Sequence, residues 1–482
     1  MFGKMPLRSQ LTEDLYKEYK DARFEDFLKK NGRWATQAKI AESMFRISNP
    51  TYKSVNETIL KYDKPVPPEL DQVLAEKAFQ DLLQFFYHLR NSCEIKSFDD
   101  TEYVPDTVPG WVFSKVFNCQ DKKSALAFFD YLKLFWDRAH IEKYPVLFTQ
   151  CGKVENLKEK KILAQDIRGF TVAPFEFFVS KARMSQDLNH KMCQPEFYKN
   201  SPIKHGINLM DGGFFDLLKK LCKIPNSKIG EGDAVKWDSS SSREMLEICK
   251  RLRFECWDKK GMSEEEWHAR MDYYYEQIVS SYVILPTGQV LQKNLGQPSG
   301  TTNTTDDNCI MHLFMWCYMW RKLHNRSLYV DFNRKVYLAL YADDHIFSVD
   351  QDLGFHPYEV RQPLYAEFGV GLDKAKDLVT DDPDGHTFLG MKARWDPKHE
   401  NYVPIFDPFK ATNVMMKNES QKVDVSAIWS RCYSIALLTC YDENMYDLCR
   451  SYLTYLKTTE PTLREKFIPT MAGFRRKWHN LE

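Results

Sequence analysis

No stretch of this sequence approaches the ~18 consecutive apolar residues needed to cross a bilayer. The longest candidate, residues 309–320 (CIMHLFMWCYMW), is too short and reads as a buried helix. The first twenty residues, MFGKMPLRSQLTEDLYKEYK, carry no apolar h-region and so do not read as a signal peptide. The 12 cysteines include no CxxC pair, which speaks against a zinc ribbon and against a disulfide framework. His/Asp clusters at metal spacing, internal repeats and low-complexity tracts are also absent. Net charge is lacking too, since 67 Lys+Arg oppose 67 Asp+Glu and the pI is about 7.2. That balance excludes a strongly basic coat protein and a disordered polyampholyte tail. It leaves open a charged channel, which needs only a local excess of one sign. The chain reads as soluble, cytosolic and reduced, with no transmembrane segment.

What is present is length and an apolar share sufficient for a large core. With 482 residues, 43% of them apolar, the chain can bury a core shared by two or three subdomains. Apolar residues at helical spacing mark residues 70–90 and 125–136 as helices, separated by a Pro- and Gly-bearing loop at 103–112. From 152 to 191 basic and apolar residues interleave, with strand-like runs at 167–172 and 175–179. Residues 225–400 read strand, helix, helix, hairpin, and the chain after about 405 is mostly helical. The fold class is therefore α+β.

The sharpest local feature is KVYLALYADDHIFSV, residues 335–349, two β-rich runs flanking Ala342-Asp343-Asp344. Two adjacent carboxylates at a hairpin tip repel and raise each other's pKa, and a divalent cation with hard oxygen ligands is the natural remedy. Alone, the pair could be a solvated turn. A second feature is IGEGDAVKWDSSSS, residues 229–242. It places Asp233 in a short apolar strand, where acids are rare unless paired, and Asp238 five residues on, where it could simply cap the following helix. The third is GQPSGTTNTTDDN, residues 296–308, a Gly-bearing loop running into the apolar helix, which alone would be a polar loop with a cap.

Taken in order, the three resemble motifs A, B and C of the palm in RNA-dependent RNA polymerases of positive-strand RNA viruses. DAVKWD resembles the D-x4-D of motif A. PSGTTNTTDDN matches S-G-x3-T-x3-N of motif B through Ser299, Gly300, Thr304 and Asn308. YADD stands where motif C usually reads GDD, with Ala342 replacing the glycine. Residues 152–174 are similar to motif F, with Lys153, Lys161 and Arg168 at the family's spacing. FGVGLDKAKDL resembles motif D, with Lys374 and Lys376 both candidates for its lysine. HTFLGMKARW resembles motif E, and DTVPGW at 106–111 motif G. The segments YVILPTGQVLQKNLGQPSG and DIRGFTVAP resemble the astrovirus branch of the picornavirus-like supergroup.

The resemblance implies a right-hand fold, with an antiparallel palm sheet packed on helices and a helical thumb. Residues 1–200 would form fingers, 201–260 palm, 261–296 an insertion shared by fingers and palm, 297–400 palm and 401–482 thumb. It implies nucleotidyl transfer from NTPs to an RNA 3′-OH with two Mg²⁺ ions, Mn²⁺ being an alternative. Two such ions about 3.5–4 Å apart activate the attacking oxygen and stabilise the leaving one. Asp233 and Asp343 would bridge them and Asp344 would be an outer ligand. Lys153, Lys161 and Arg168 would clamp the triphosphate. Lys374 or Lys376 would protonate the pyrophosphate. Asp238 and Asn308, with Thr304 or Ser299 nearby, would read the ribose 2′-OH. Implied partners are template and primer RNA, NTPs, a protein primer, and viral replication proteins that recruit the chain to host-cell membranes.

Other readings stay open at this level. A reverse transcriptase also uses Tyr-Ala-Asp-Asp, although its motif B commonly reads PQG and its sugar gate is bulky. A catalytically dead polymerase fold could act as an RNA-binding scaffold, and an α/β metal-dependent hydrolase could match by coincidence. Outside the motifs, His312 reads as a satisfied core histidine and residues 381–384 (DDPD) as a solvated loop. Residues 474–478 (FRRKW) read as a frayed basic terminus, with contact to product RNA as the alternative.

Overall fold

Fifteen residues of continuous burial need an element that is apolar all round, and helix Thr304–His324 supplies it: every residue from 306 to 320 is buried. A helix apolar on all faces belongs in the middle of a molecule. The computed structural model describes residues 3–4 and 11–480, and this helix lies at the centre of what it describes. Asp306 and Asp307 in the first turn and Arg321, Lys322 and His324 in the last complement its dipole. Asn325, left-handed at φ 51°, ends it.

Around it stand the elements that matter for the site: strand β1 (Ser227–Gly232), helix α1 (Arg243–Cys256), α2 (the Thr304–His324 helix), strands β2 (Val336–Tyr341) and β3 (Asp344–Asp350), and strand β4 (Leu378–Thr380). The four strands form one antiparallel sheet in the order β2-β3-β1-β4. α2 packs between β2 and helix Gln72–Phe85, with α1 beside it. Its buried carboxylate Asp307 pairs with Arg253 of α1 at 2.8 Å and accepts from the Tyr275 hydroxyl at 3.0 Å. Arg253 also donates to Asn189 at 2.9 Å and to the Ser185 carbonyl at 3.3 Å. One ion pair thus ties together four helices.

A second sheet has five strands in the order 3–4, Gln289–Gln292, Tyr282–Ile284, Leu147–Gly152, Gly169–Val172. It joins residues near 150–170 to residues near 282–292. A three-stranded sheet, Thr387–Phe388, Met391–Asp396 and Asn401–Ile405, leads into helices Pro408–Met416, Val425–Leu438, Glu443–Thr459 and Met471–Trp478. The N-terminal segment reaches these helices. Tyr19–Lys20 pairs with Lys417–Asn418, Arg23 bonds Glu460 at 2.6 Å, and the Tyr455 hydroxyl donates to Asp26 at 2.6 Å. No helix of the described residues is long and apolar enough to cross a membrane.

Three local expectations are corrected. Residues 175–179 open the helix Phe175–Met192 rather than forming a strand. A five-residue apolar run does not distinguish the two, and this helix is buried on most sides, which hides its periodicity. Residues 474–478 are not frayed. Phe474 and Trp478, one helical turn apart, are fully buried, and the Trp478 indole donates to the Leu437 carbonyl at 2.9 Å. Asp233 lies outside the strands, at the break between β1 and Ala234–Val235.

Removing one partner of a buried ion pair strands the other charge, at a cost of about 3–5 kcal/mol. Asp307→Ala is therefore expected to lower the thermal unfolding midpoint markedly. The double variant Arg253→Met/Asp307→Leu should recover only part of the loss in the same scan, because buried Lys181, 3.9 Å from Asp307, still loses its counter-charge.

Candidate active site

The sheet register brings the acids together. Tyr341 pairs with Asp344 across the hairpin and His345 pairs with Gly232, so one step further Asp344 stands beside Asp233. Beyond Asp233, Ala234–Val235 pairs with Gly371–Leu372, and the Asp373 N–H donates to the Asp233 carbonyl at 3.0 Å. The break in β1 thus leaves the Asp233 side chain at the mouth of the sheet, next to the segment that carries Lys374 and Lys376.

Asp343 feels burial first and then the Asp233 charge, both raising its pKa, while Arg168 and Lys376 pull it back. Asp344 is pushed up to about 7, chiefly by burial and then by Asp343, Glu231 and Asp233. Its carboxylate accepts from the Leu389 N–H at 2.8 Å, which ties the hairpin to the turn after strand Thr387–Phe388. Asp238, in the turn Trp237–Ser239, is reached by water yet surrounded by protein on most sides. Loss of hydration and the Asp343 charge push it up to about 6, against the pull of Arg168.

The two lysines are separated by geometry. The Lys376 ammonium contacts the Asp233 carboxylate, with Asp373 at 3.9 Å. Lys374 turns away, to Glu359 at 3.4 Å and the Tyr358 ring. Among the basic residues near 153–168, Arg168 is exposed and acts on Asp238 and Asp343. Lys153 meets Arg168 through its backbone, at 2.9 Å, and its side chain approaches Glu155 at 3.8 Å. Lys161 is exposed on the short helix Glu159–Leu163, and neither lysine is among the charges that act most on the two acids.

The loop before α2 docks on the Asp238 turn, where the Gln297 N–H donates to the Asp238 carbonyl at 2.9 Å and the Gly296 N–H to that of Ser241 at 2.7 Å. Gly296 has φ +78°, and a Cβ there would stand 2.5 Å from the Asp238 carbonyl oxygen, so glycine is required. Gly300 approaches strand Gly169–Val172 just as closely, and Ser299 Oγ accepts from the Thr171 N–H at 3.4 Å. The Thr304 hydroxyl donates to the Pro298 carbonyl at 2.9 Å. These three residues therefore shape the loop. Asn308 differs: it is buried, and its Oδ1 has no hydrogen-bond partner among the described residues. A buried acceptor left unpaired is costly unless a ligand completes it.

Asp233 and Asp343 offer hard oxygen donors of the kind Mg²⁺ takes. Among the described residues no three acidic, His or Cys side chains close on one point at ligand distance. The fit is thus to ions that share their remaining ligands with a substrate, with Asp344 held to the side by Leu389.

His312, which reads from the sequence as a satisfied core histidine, is buried with both ring nitrogens bonded, and with Cys309 it supports the hairpin tip. The Ala342 N–H donates to Cys309 Sγ at 3.2 Å and its carbonyl accepts from His312 Nδ1 at 2.8 Å, both from α2.

The site thus joins adjacent carboxylates at the end of a sheet to a polar loop and a buried helix. Residues 37–408 match the family described as viral RNA-dependent RNA polymerase, and the chain belongs to it. It is 26% identical over 405 residues to the non-structural polyprotein 1AB of Turkey astrovirus 1, covering 82% of this chain and 24% of that protein. Against the same polyprotein of Human astrovirus-1 it is 23% identical over 380 residues, 77% of this chain and 25% of the other. Genome polyprotein 1 of Barley mild mosaic virus (strain Na1) is 28% identical over 240 residues, 48% of this chain and 10% of the polyprotein. The chain thus spans a quarter or less of these relatives' length.

Ala342 is left-handed at φ 53°, which accounts for the glycine that the position usually carries. Ala342→Gly is expected to leave stability unchanged or raise it by at most about 1 kcal/mol, read from thermal unfolding, because relief of strain opposes a freer unfolded chain. Ala342→Val puts a β-branched side chain at positive φ and should lower the midpoint.

Proposed function

We propose that this chain copies RNA by templated nucleotidyl transfer, with residues 1–200 and 261–296 as fingers, 201–260 and 297–400 as palm and 401–482 as thumb. Residues 1–2, 5–10 and 481–482 of these segments lie outside the described residues. The observation that carries the reading is the meeting of Asp233, Asp238 and Asp343 at one end of the sheet, with Arg168 and Lys376 as counter-charges.

Asp233 and Asp343 would hold two Mg²⁺ ions, or Mn²⁺ in their place, with Asp344 as an outer ligand. Bound ions of this kind activate the attacking 3′-oxygen and stabilise the leaving one. Arg168, with Lys153 and Lys161, would orient the triphosphate. Lys376, already against Asp233, would deliver a proton to the departing pyrophosphate, which Lys374 is badly oriented to do. Asp238 and the unpaired Asn308 amide would bond the ribose 2′-OH, and a sugar lacking it would leave them unsatisfied. The same acid at the sugar gate disfavours a reverse transcriptase.

The partners that follow are template and primer RNA, NTPs and, by the chain's kinship, a protein primer. Viral replication proteins would recruit the chain to membranes of the infected host cell.

The test is primer extension on a defined RNA template with Mg²⁺. Wild type should incorporate NTPs in preference to dNTPs, Asp343→Asn should abolish incorporation, and Asn308→Ala should raise dNTP use relative to NTP. Preferential dNTP use by the wild type, or full activity in Asp343→Asn, overturns the reading. In the same assay Lys376→Leu should lower turnover by about 10²-fold or more, as loss of a general acid does. Lys374→Leu should stay within a few-fold of wild type.

A further inference from the structure

The hairpin tip that carries Asp343 is held by a chain of hydrogen bonds that runs through the interior of the molecule. The Trp316 indole N–H reaches the Tyr365 hydroxyl at 2.9 Å, that hydroxyl lies 2.8 Å from His312 Nε2, and His312 Nδ1 lies 2.8 Å from the Ala342 carbonyl oxygen. His312 and Tyr365 are both fully buried, and Trp316 with them. The direction of every bond follows from chemistry. An indole N–H only donates. The Ala342 carbonyl only accepts, so the hydrogen of the neutral ring sits on Nδ1, and Tyr365, which accepts from Trp316, gives its own proton to His312 Nε2. Burial pushes the His312 pKa down to about 4, so the ring is neutral, as this arrangement needs.

The same ring touches the other parts of the site. Trp237, next to Asp238, packs on it with centroids 4.7 Å apart. Its own helix, α2, presents Asn308 one turn earlier and Cys309, whose Sγ accepts the Ala342 N–H. Tyr365 belongs to helix Tyr358–Ala366, whose Gln362 accepts from the Leu372 N–H at 2.6 Å and whose Tyr358 donates to the Leu372 carbonyl at 3.1 Å. Leu372 leads directly to Lys376. One imidazole thus joins the Asp238 turn, the Asn308 helix, the Asp343 hairpin and the Lys376 segment.

We propose that His312 is a positioning residue of the polymerase site, which, through Ala342, sets the Asp343 carboxylate in register with the ribose-reading side chains. The inference rests on the proposed role of Asp343 in holding a divalent ion. Groups that orient a metal-binding residue without touching the ion typically change affinity or activity about 10–100-fold when removed.

The experiment measures Mn²⁺ binding by electron paramagnetic resonance on full-length protein with template-primer RNA and a non-hydrolysable ATP analogue, alongside kcat and KM for extension. His312→Phe keeps a ring but donates nothing. It is expected to weaken Mn²⁺ binding and lower kcat about 10–100-fold, with RNA affinity within twofold of wild type. His312→Asn places an amide N–H near the position of Nδ1 and should recover most of both. A loss of thermal stability with Mn²⁺ affinity and kcat unchanged in the folded protein would mean packing alone, and overturns the proposal. Should His312→Phe fail to fold, Tyr365→Phe keeps the imidazole and removes the group that orients it. A several-fold loss of Mn²⁺ affinity is expected there, and unchanged affinity and kcat overturn the proposal. Asp343→Asn separates the two layers. If it binds Mn²⁺ as wild type does, the metal assignment falls and this inference with it. If it loses Mn²⁺ while the His312 and Tyr365 variants retain it, only the role of His312 falls.

Discussion

Like charges confined to a small volume repel, and Asp233, Asp238, Asp343 and Asp344 meet at one end of a single sheet. Asp238, Asp343 and Asp344 lie where protein has displaced much of their water, so they are harder to ionise than surface acids. Much of the molecule serves to keep the four together. The strand register brings the hairpin beside Asp233, the Leu389 N–H holds Asp344, Lys376 faces Asp233, and Arg168 reaches over from the second sheet. Held together in this way, the four acids concentrate negative charge at a site whose relief among the described residues comes from a few basic side chains such as Lys376 and Arg168.

The buried helix Thr304–His324 transmits this order. It is not an inert core element, because its first half carries function. Its first turns hold Asn308 and the Asp307–Arg253 pair, and the next hold the hairpin tip through Cys309 and His312. A fully buried pair costs more to desolvate than a surface pair, and what it secures here is a fixed orientation of four helices. Asn308 and the hairpin that carries Asp343 are thereby joined through one buried helix.

Much of this was legible in the residue order. The acids and the paired carboxylates stood out because a charge set among apolar strand residues must find a partner, and the Gly-bearing loop because glycine marks a tight approach. The helix 309–320 was legible from its apolar run, but its extension to Thr304 was not, since Asp306, Asp307 and Asn308 look solvent-facing until their partners are known. Lys374 and Lys376 were indistinguishable because two residues of spacing in a turn say nothing of direction. Ser299, Gly300 and Thr304 matched a binding motif, and their contacts within the chain, which no residue order displays, also build the loop. His312 and Tyr365 were out of reach for a different reason. Their role lies in a contact between residues 53 apart, and no local pattern encodes it.

The strand pairing of Tyr19–Lys20 with Lys417–Asn418, and the bond from Arg23 to Glu460, join residues about four hundred positions apart. During synthesis the earlier partner leaves the ribosome long before the later one exists. At about 5–20 residues per second, the interval between Arg23 and Glu460 is roughly 20–90 s. Through that time Phe24 and Phe27, both buried against Tyr452 in the finished molecule, have no surface to cover them. The ring of contacts that this segment closes is therefore completed only after the helices 443–478 have emerged.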